Sequence, residues 1–169
     1  TGNYGGAEFK ILNSISNFAY TSMDLESETG DVLDDAVYQR TRSVGDRLGV
    51  KISVTDLGWD EALDMIKSQI MSGDDGYDIC FDEVSTLALA YEPGMFTDIG
   101  TISTVDLTKP WWHQKFIENA EIYGKLYSVA GDIDLTTVTY RAALFFNKNL
   151  KESYIPDEDL YKKVLDGTF

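Results

Sequence analysis

Cysteine, histidine and proline are nearly missing from this chain, and each scarcity removes a class of protein. Cys80 is the only cysteine and His113 the only histidine, so the chain cannot close an internal disulfide. Nor can it assemble a zinc site of the usual His and Cys kind. Basic residues are scarce too: 14 Lys and Arg stand against 29 Asp and Glu, a formal charge of -15. Such a surface repels phosphate backbones and acidic membranes, which argues against nucleic acid as a partner. No stretch approaches the roughly 20 apolar residues of a membrane-spanning helix. The opening Thr1-Gly2-Asn3-Tyr4-Gly5-Gly6 lacks the basic and apolar regions of a signal peptide. A trimmed precursor would begin in the same way, so this start does not argue for the cytoplasm.

What is present suits one packed domain: 169 residues with 43% hydrophobic content, no internal repeat and no low-complexity linker. Phe9-Lys10-Ile11-Leu12 reads as a strand followed by the polar loop Asn13 to Asn17. Leu33, Ala36, Val37, Val44 and Leu48 recur at helical spacing, with Asp31 suited to the N-cap and Gly49 to the left-handed stop. Lys51 to Thr55 alternates as a half-buried strand does. Ala62, Leu63, Ile66 and Ile70 make a second helical stripe, with Asp60 as its cap and Gly73 as its stop. Tyr77 to Phe81 closes the series as a strand covered on both faces, with Cys80 inside it as a small buried hydrophobe.

Alternating strands and helices in this order predict a doubly wound, mainly parallel α/β sheet. Beyond Phe81, helices are expected over Val84 to Tyr91, halted by Pro93-Gly94, over Trp111 to Tyr123 after Pro110, and over Leu160 to Leu165. Strands are expected over Leu126 to Ala130 and Ala142 to Phe146.

The motifs of common catalysts are missing. There is no GxGxxG, no GxxxxGK[ST] and no GxSxG, so no cofactor and no catalytic residue are expected. Asp132-Ile133-Asp134 begins like a calcium loop, but Thr136 and Thr137 stand where a ligand and the glycine belong, so no metal is expected either. A binding site is locatable from topology, because open parallel sheets hold ligands at the carboxyl ends of their strands. Those ends carry Asn13 to Asn17, Asp56 and Asp82-Glu83. Carboxylates and amides suit sugar hydroxyls, and Trp111 and Trp112 offer faces for a pyranose ring. Structural roles compete: Asp82 could cap the helix that follows it, the tryptophans could be core, and His113 reads as a surface or packing residue.

Seven segments resemble a group within the family 1 extracellular solute-binding proteins. These are Tyr4-Gly5-Gly6-x-x-Phe9-Lys10-Ile11-Leu12, Glu28-Thr29-Gly30-Asp31-x-x-x-Asp35-Ala36-Val37-Tyr38-x-Arg40 and Gly73-Asp74-Asp75-x-Tyr77-Asp78, followed by Asp106-Leu107-x-Lys109-Pro110-Trp111-Trp112, Gly124-Lys125-Leu126-Tyr127, Gly131-Asp132-Ile133 and Leu144-Phe145-Phe146-Asn147-Lys148. The resemblance implies the N-terminal lobe, over residues 1–169, of a two-lobed receptor with type II periplasmic-binding-protein topology. It further implies a carbohydrate ligand, ABC transporter permease subunits as partners, and a cell-surface lipoprotein of a Gram-positive bacterium, periplasmic if Gram-negative. The membrane would be reached only through a lipid anchor. By position the resemblance favours Ser16, Asn17, Asp82, Glu83, Trp112 and Asp132 as ligand contacts, and it implies no enzymatic activity. A lobe standing alone would expose an apolar patch able to drive dimer formation. Two other classes fit the same residues: a glycoside-active enzyme built on paired carboxylates, and a sensory or adhesive module sharing the fold.

Overall fold

The computed structural model describes residues 2–15, 20–88, 95–139 and 143–168, the side chains of 137 and 138 aside. Its first half alternates strand and helix: β1 Ala7–Ile15, α1 Val32–Leu48, β2 Val50–Gly58, α2 Trp59–Ser72, β3 Ile79–Phe81 and α3 Val84–Ala88. The three strands form one parallel sheet, as expected, in the order β2-β1-β3, with the first strand central. The architecture is α/β. The first crossover runs from β1 to β2, and the second runs back from β2 past β1 to β3.

Both boundaries expected for α1 are present. The Asp31 carboxylate accepts from the N–H groups of Leu33 and Asp34 at 2.9 and 3.3 Å, and Gly49 closes the helix at φ 62°. Gly73 closes α2 in the same left-handed conformation. The start of α2 differs from expectation. β2 runs on to Gly58 without a loop, so Gly58 takes the N-cap position and Asp60 falls inside the first turn. There its charge still complements the helix dipole.

β1 and β2 are both longer than the apolar runs that announced them, pairing from Ala7↔Val50 to Ile15↔Gly58. Leu12, Ile66 and Leu87 form the buried centre of one face, with Leu57, Leu63, Ile70, Cys80 and Phe96 packed around them. Cys80 is therefore part of the core periphery, partly rather than fully buried. Ile11 points to the other face, and it and Val37 of α1 are both buried.

The second half departs further from expectation. It comprises a 3-10 turn at Ile99–Thr101, α4 Gln114–Ile117, a hairpin of β4 Glu121–Ile122 and β5 Lys125–Leu126, α5 Thr136–Thr139, α6 Lys148–Tyr154 and α7 Leu160–Asp166. The helix expected over Trp111 to Tyr123 is reduced to the single turn α4. Trp112 bridges Gly131 and His113 N–H donates to Ala130 at 2.9 Å, so this backbone is already paired with another segment. At the other end, Tyr123 and Gly124 both take positive φ, 52° and 74°, and turn the chain into the hairpin.

Of the strand expected over Leu126 to Ala130, only Leu126 lies in a strand, at the end of β5. Ala142 lies outside the described residues, and Ala143 to Phe146 have no strand. Leu144 and Phe145 are 74% and 92% exposed, and among the described residues no strand lies beside them to form a ladder. Of the helix expected over Val84 to Tyr91, the structure describes α3; its expected stop at Pro93-Gly94 lies outside the described residues. Among the described residues no helix is long and apolar enough to cross a membrane.

Candidate functional site

The carboxyl ends of the three strands lie side by side, with Asn13↔Asp56 and Asn13↔Phe81 in register. Asn13 is an interior tie rather than a loop residue. It is 2% exposed, and its Nδ2 donates to Asp56 Oδ1 at 2.7 Å and to the Thr21 carbonyl at 2.9 Å. Buried amides require such partners, and this pair joins β1 to β2 and holds the chain that returns toward α1.

Asp82 comes directly after β3. Its Oδ1 accepts from Glu83 N–H at 2.7 Å, while its buried Oδ2 has no hydrogen-bond partner among the described residues. Burial holds the carboxyl above the usual aspartate range, against the opposing pull of Glu83 N–H and the Ser14 hydroxyl. The same edge pushes the Cys80 thiol up to about 11, through burial first and the Asp82 charge second. Asp82 is not a cap of the ordinary kind, since its backbone partner is the next residue rather than an N–H inside α3. Glu83 supplies the helix start: its carbonyl accepts from Thr86 and Leu87, both at 3.0 Å.

Trp112 and Asp132 are brought together by the bridge between Trp112 and Gly131, reinforced by Asp132 N–H donating to Trp111 at 2.9 Å. The approach depends on Gly131, where an added Cβ would meet the Trp111 carbonyl at 2.5 Å. The Trp112 indole N–H donates to the Asp106 carbonyl at 3.0 Å, and its ring is partly exposed. His113 is exposed and precedes α4. Asp132 is exposed as well.

Of the six residues favoured as ligand contacts, the structure therefore groups Asp82 with Glu83 and Trp112 with Asp132. Ser16 and Asn17 lie outside the described residues. The elements just C-terminal to Glu83 and to Trp112 share a wall. Val84 and Ala88 of α3, with Phe116, Ala120 and Ile122 beyond Trp112, line one mainly apolar cavity of about 360 Å³.

Sequence pattern does not single out three residues with structural leverage on this edge. Arg40 of α1 donates to the Met23 carbonyl at 3.0 Å and to Ile133 at 3.5 Å, and so anchors the loop that carries Asp132. Burial lowers its pKa. Tyr20 donates to Asp34 at 2.7 Å, and burial together with that carboxylate pushes its hydroxyl up to about 12. Asn13 is the third. Its signal is a lone amide directly after Ile11-Leu12, too short a pattern to distinguish a strand interior from a loop.

The edge thus offers hydrogen-bonding carboxyls, one of them with its pKa raised by burial, and the chain beyond α3 carries a partly exposed indole. Among the described residues no cluster of three or more His, Cys, Asp or Glu side chains is placed to hold a metal. No protein-family model and no curated protein matches this chain.

Proposed function

We propose that this chain is the N-terminal lobe of an extracellular solute-binding protein with type II periplasmic-binding-protein topology, doubly wound, which captures a carbohydrate for an ABC importer. The observation that carries the reading is the Asp82 carboxyl at the carboxyl edge of a β2-β1-β3 parallel sheet, with a buried oxygen that no described residue satisfies. Open parallel sheets bind ligands at that edge. A sugar hydroxyl there would donate to Oδ2 and complete its hydrogen bonding. Trp112 and Asp132 supply a stacking face and a second acceptor from the neighbouring loop. Ser16, Asn17 and Glu83 complete the proposed contact set.

In this reading the ligand sits between two lobes, and permease subunits and a lipid anchor are the membrane partners. A micromolar receptor holds its ligand with about 8 kcal/mol, so one wall supplying half of that binds at roughly millimolar strength. The test is a thermal-shift panel of mono- and oligosaccharides on the 169-residue chain, each run beside an Asp82→Ala variant. Ligand at about 100 times its dissociation constant stabilises by about 2.7 kcal/mol, well above what is needed to resolve a shift. A sugar that stabilises the parent and not the variant supports the reading. Equal shifts in both proteins for every sugar would reduce the effect to solvent exclusion and refute it.

A further inference from the structure

One more carboxylate stands on the carboxyl edge of the sheet. Asp56 of β2 is in register with Asn13, and Asn13 is in register with Phe81, directly before Asp82. Asp56 and Asp82 therefore mark the ends of the two strands that flank β1. Adjacent strands lie about 4.8 Å apart, so these two strand ends are about 10 Å from one another. Residues in register on parallel neighbours share a face, which places Asp56 on the side of Asn13 and Ile11. The chain on that side leads to Asp132. Thr21 accepts from Asn13, Met23 two residues on accepts from Arg40 at 3.0 Å, and Arg40 also donates to the Ile133 carbonyl at 3.5 Å.

Asn13 fixes this carboxylate in place. The amide is 2% exposed and donates to Asp56 Oδ1 at 2.7 Å, a short charge-assisted bond to a residue that is itself exposed. The same Nδ2 donates to the Thr21 carbonyl at 2.9 Å, so both of its protons are in use and the amide is held from two sides. A neutral acceptor in place of Asp56 would satisfy Asn13 equally well. The carboxylate adds a negative charge that no Lys or Arg answers among the described residues, and its Oδ2 makes no hydrogen bond there either. Pinned through one oxygen and open at the other, at the edge where parallel sheets take their ligands, it is preorganised to accept from a hydroxyl.

We infer that Asp56 is a further carbohydrate contact of this edge, accepting a ligand hydroxyl at Oδ2, and that Asn13 is its positioning residue. The inference rests on the reading of the edge as a sugar site. It gives that site an anchor at the end of β2, across β1 from Asp82, so the two carboxyls meet different parts of the ligand. Asn13 acts through Asp56 and does not itself reach the sugar.

The test is a titration of the 169-residue chain with glucose, galactose, maltose, cellobiose and raffinose, followed by backbone amide resonances, with the Tm of every variant measured alongside. Asp56→Asn is the deciding variant. Its amide oxygen still accepts from Asn13, while the outward atom turns from an acceptor into a donor. It should leave Tm unchanged and weaken the sugar that the parent takes by about fivefold, the difference between a charge-assisted and a neutral hydrogen bond. Asn13→Leu should weaken the same sugar at a temperature where that variant is still folded. Adding Asp56→Asn to it should change affinity little further, because the carboxylate is already released. Parent-like affinity in Asp56→Asn overturns the inference and leaves the reading of Asp82 standing. So does a Tm that falls together with the affinity, which would place Asp56 in the framework. A parent that binds no sugar removes the reading itself, and the inference with it.

Discussion

Asp82 is where stability and binding pull in opposite directions. Its carboxyl is held above the usual aspartate range, so the folded protein binds this proton more tightly than the unfolded chain does. Stability linked to it is therefore highest below the ordinary aspartate pKa and falls as pH rises through the folded value. Asp82→Asn removes the buried charge. It should raise Tm at neutral pH. The gain should shrink toward zero below about pH 4, where the native carboxyl is neutral as well. Thermal melts across pH check this, and a gain that persists in acid would show that the carboxylate charge is not its origin. Cys80 gives a second prediction on the same edge. With its pKa pushed up to about 11, little thiolate forms at neutral pH, and labelling by a thiol reagent should be far slower in the folded than in the denatured protein. Asn13 behaves differently again: Asn13→Leu removes its two hydrogen bonds, to Asp56 and to the Thr21 carbonyl, at a cost of about 1–3 kcal/mol in a urea melt.

Among the elements, legibility tracks the strength of the local signal. Helix α1 carries an aspartate before its first turn, acids within it and a glycine past its end, and the chain uses all three. Strands β1 to β3 are legible because apolar runs between two marked helices leave few alternatives. Elements governed by distant pairing are not legible. The segment from Trp111 to Tyr123 has the composition of a helix, yet bonds to Ala130 and Gly131 and the turn at Tyr123-Gly124 divide it. Helix α6 escapes sequence reading although Asn147 caps it, accepting from Asn149 at 2.9 Å and Leu150 at 3.2 Å, because the apolar run before it suggests a strand. Tyr123 is fully exposed at positive φ, a conformation its side chain resists. Tyr123→Asn makes the Asn-Gly pair that such turns favour and should add about 0.5–1 kcal/mol to stability, measured by chemical denaturation.

For the molecule as a whole, the parallel sheet and the acid-bearing edge are readable from sequence pattern. The relation between the Asp82 group and the Trp112 group is not, since it depends on how two loops pack against α3 and α4. That relation is what a sugar would report. If a carbohydrate occupies the carboxyl edge of β1 to β3, backbone amide resonances of the chain, titrated with millimolar concentrations of the sugar that stabilises it best, should shift. The shifts are expected to concentrate at Ser14, Asp82, Glu83, Trp112 and Asp132, with an apparent affinity of roughly millimolar or weaker. Shifts confined to α6 and α7, or no shift for any sugar at saturating concentration, would contradict carbohydrate binding at this edge.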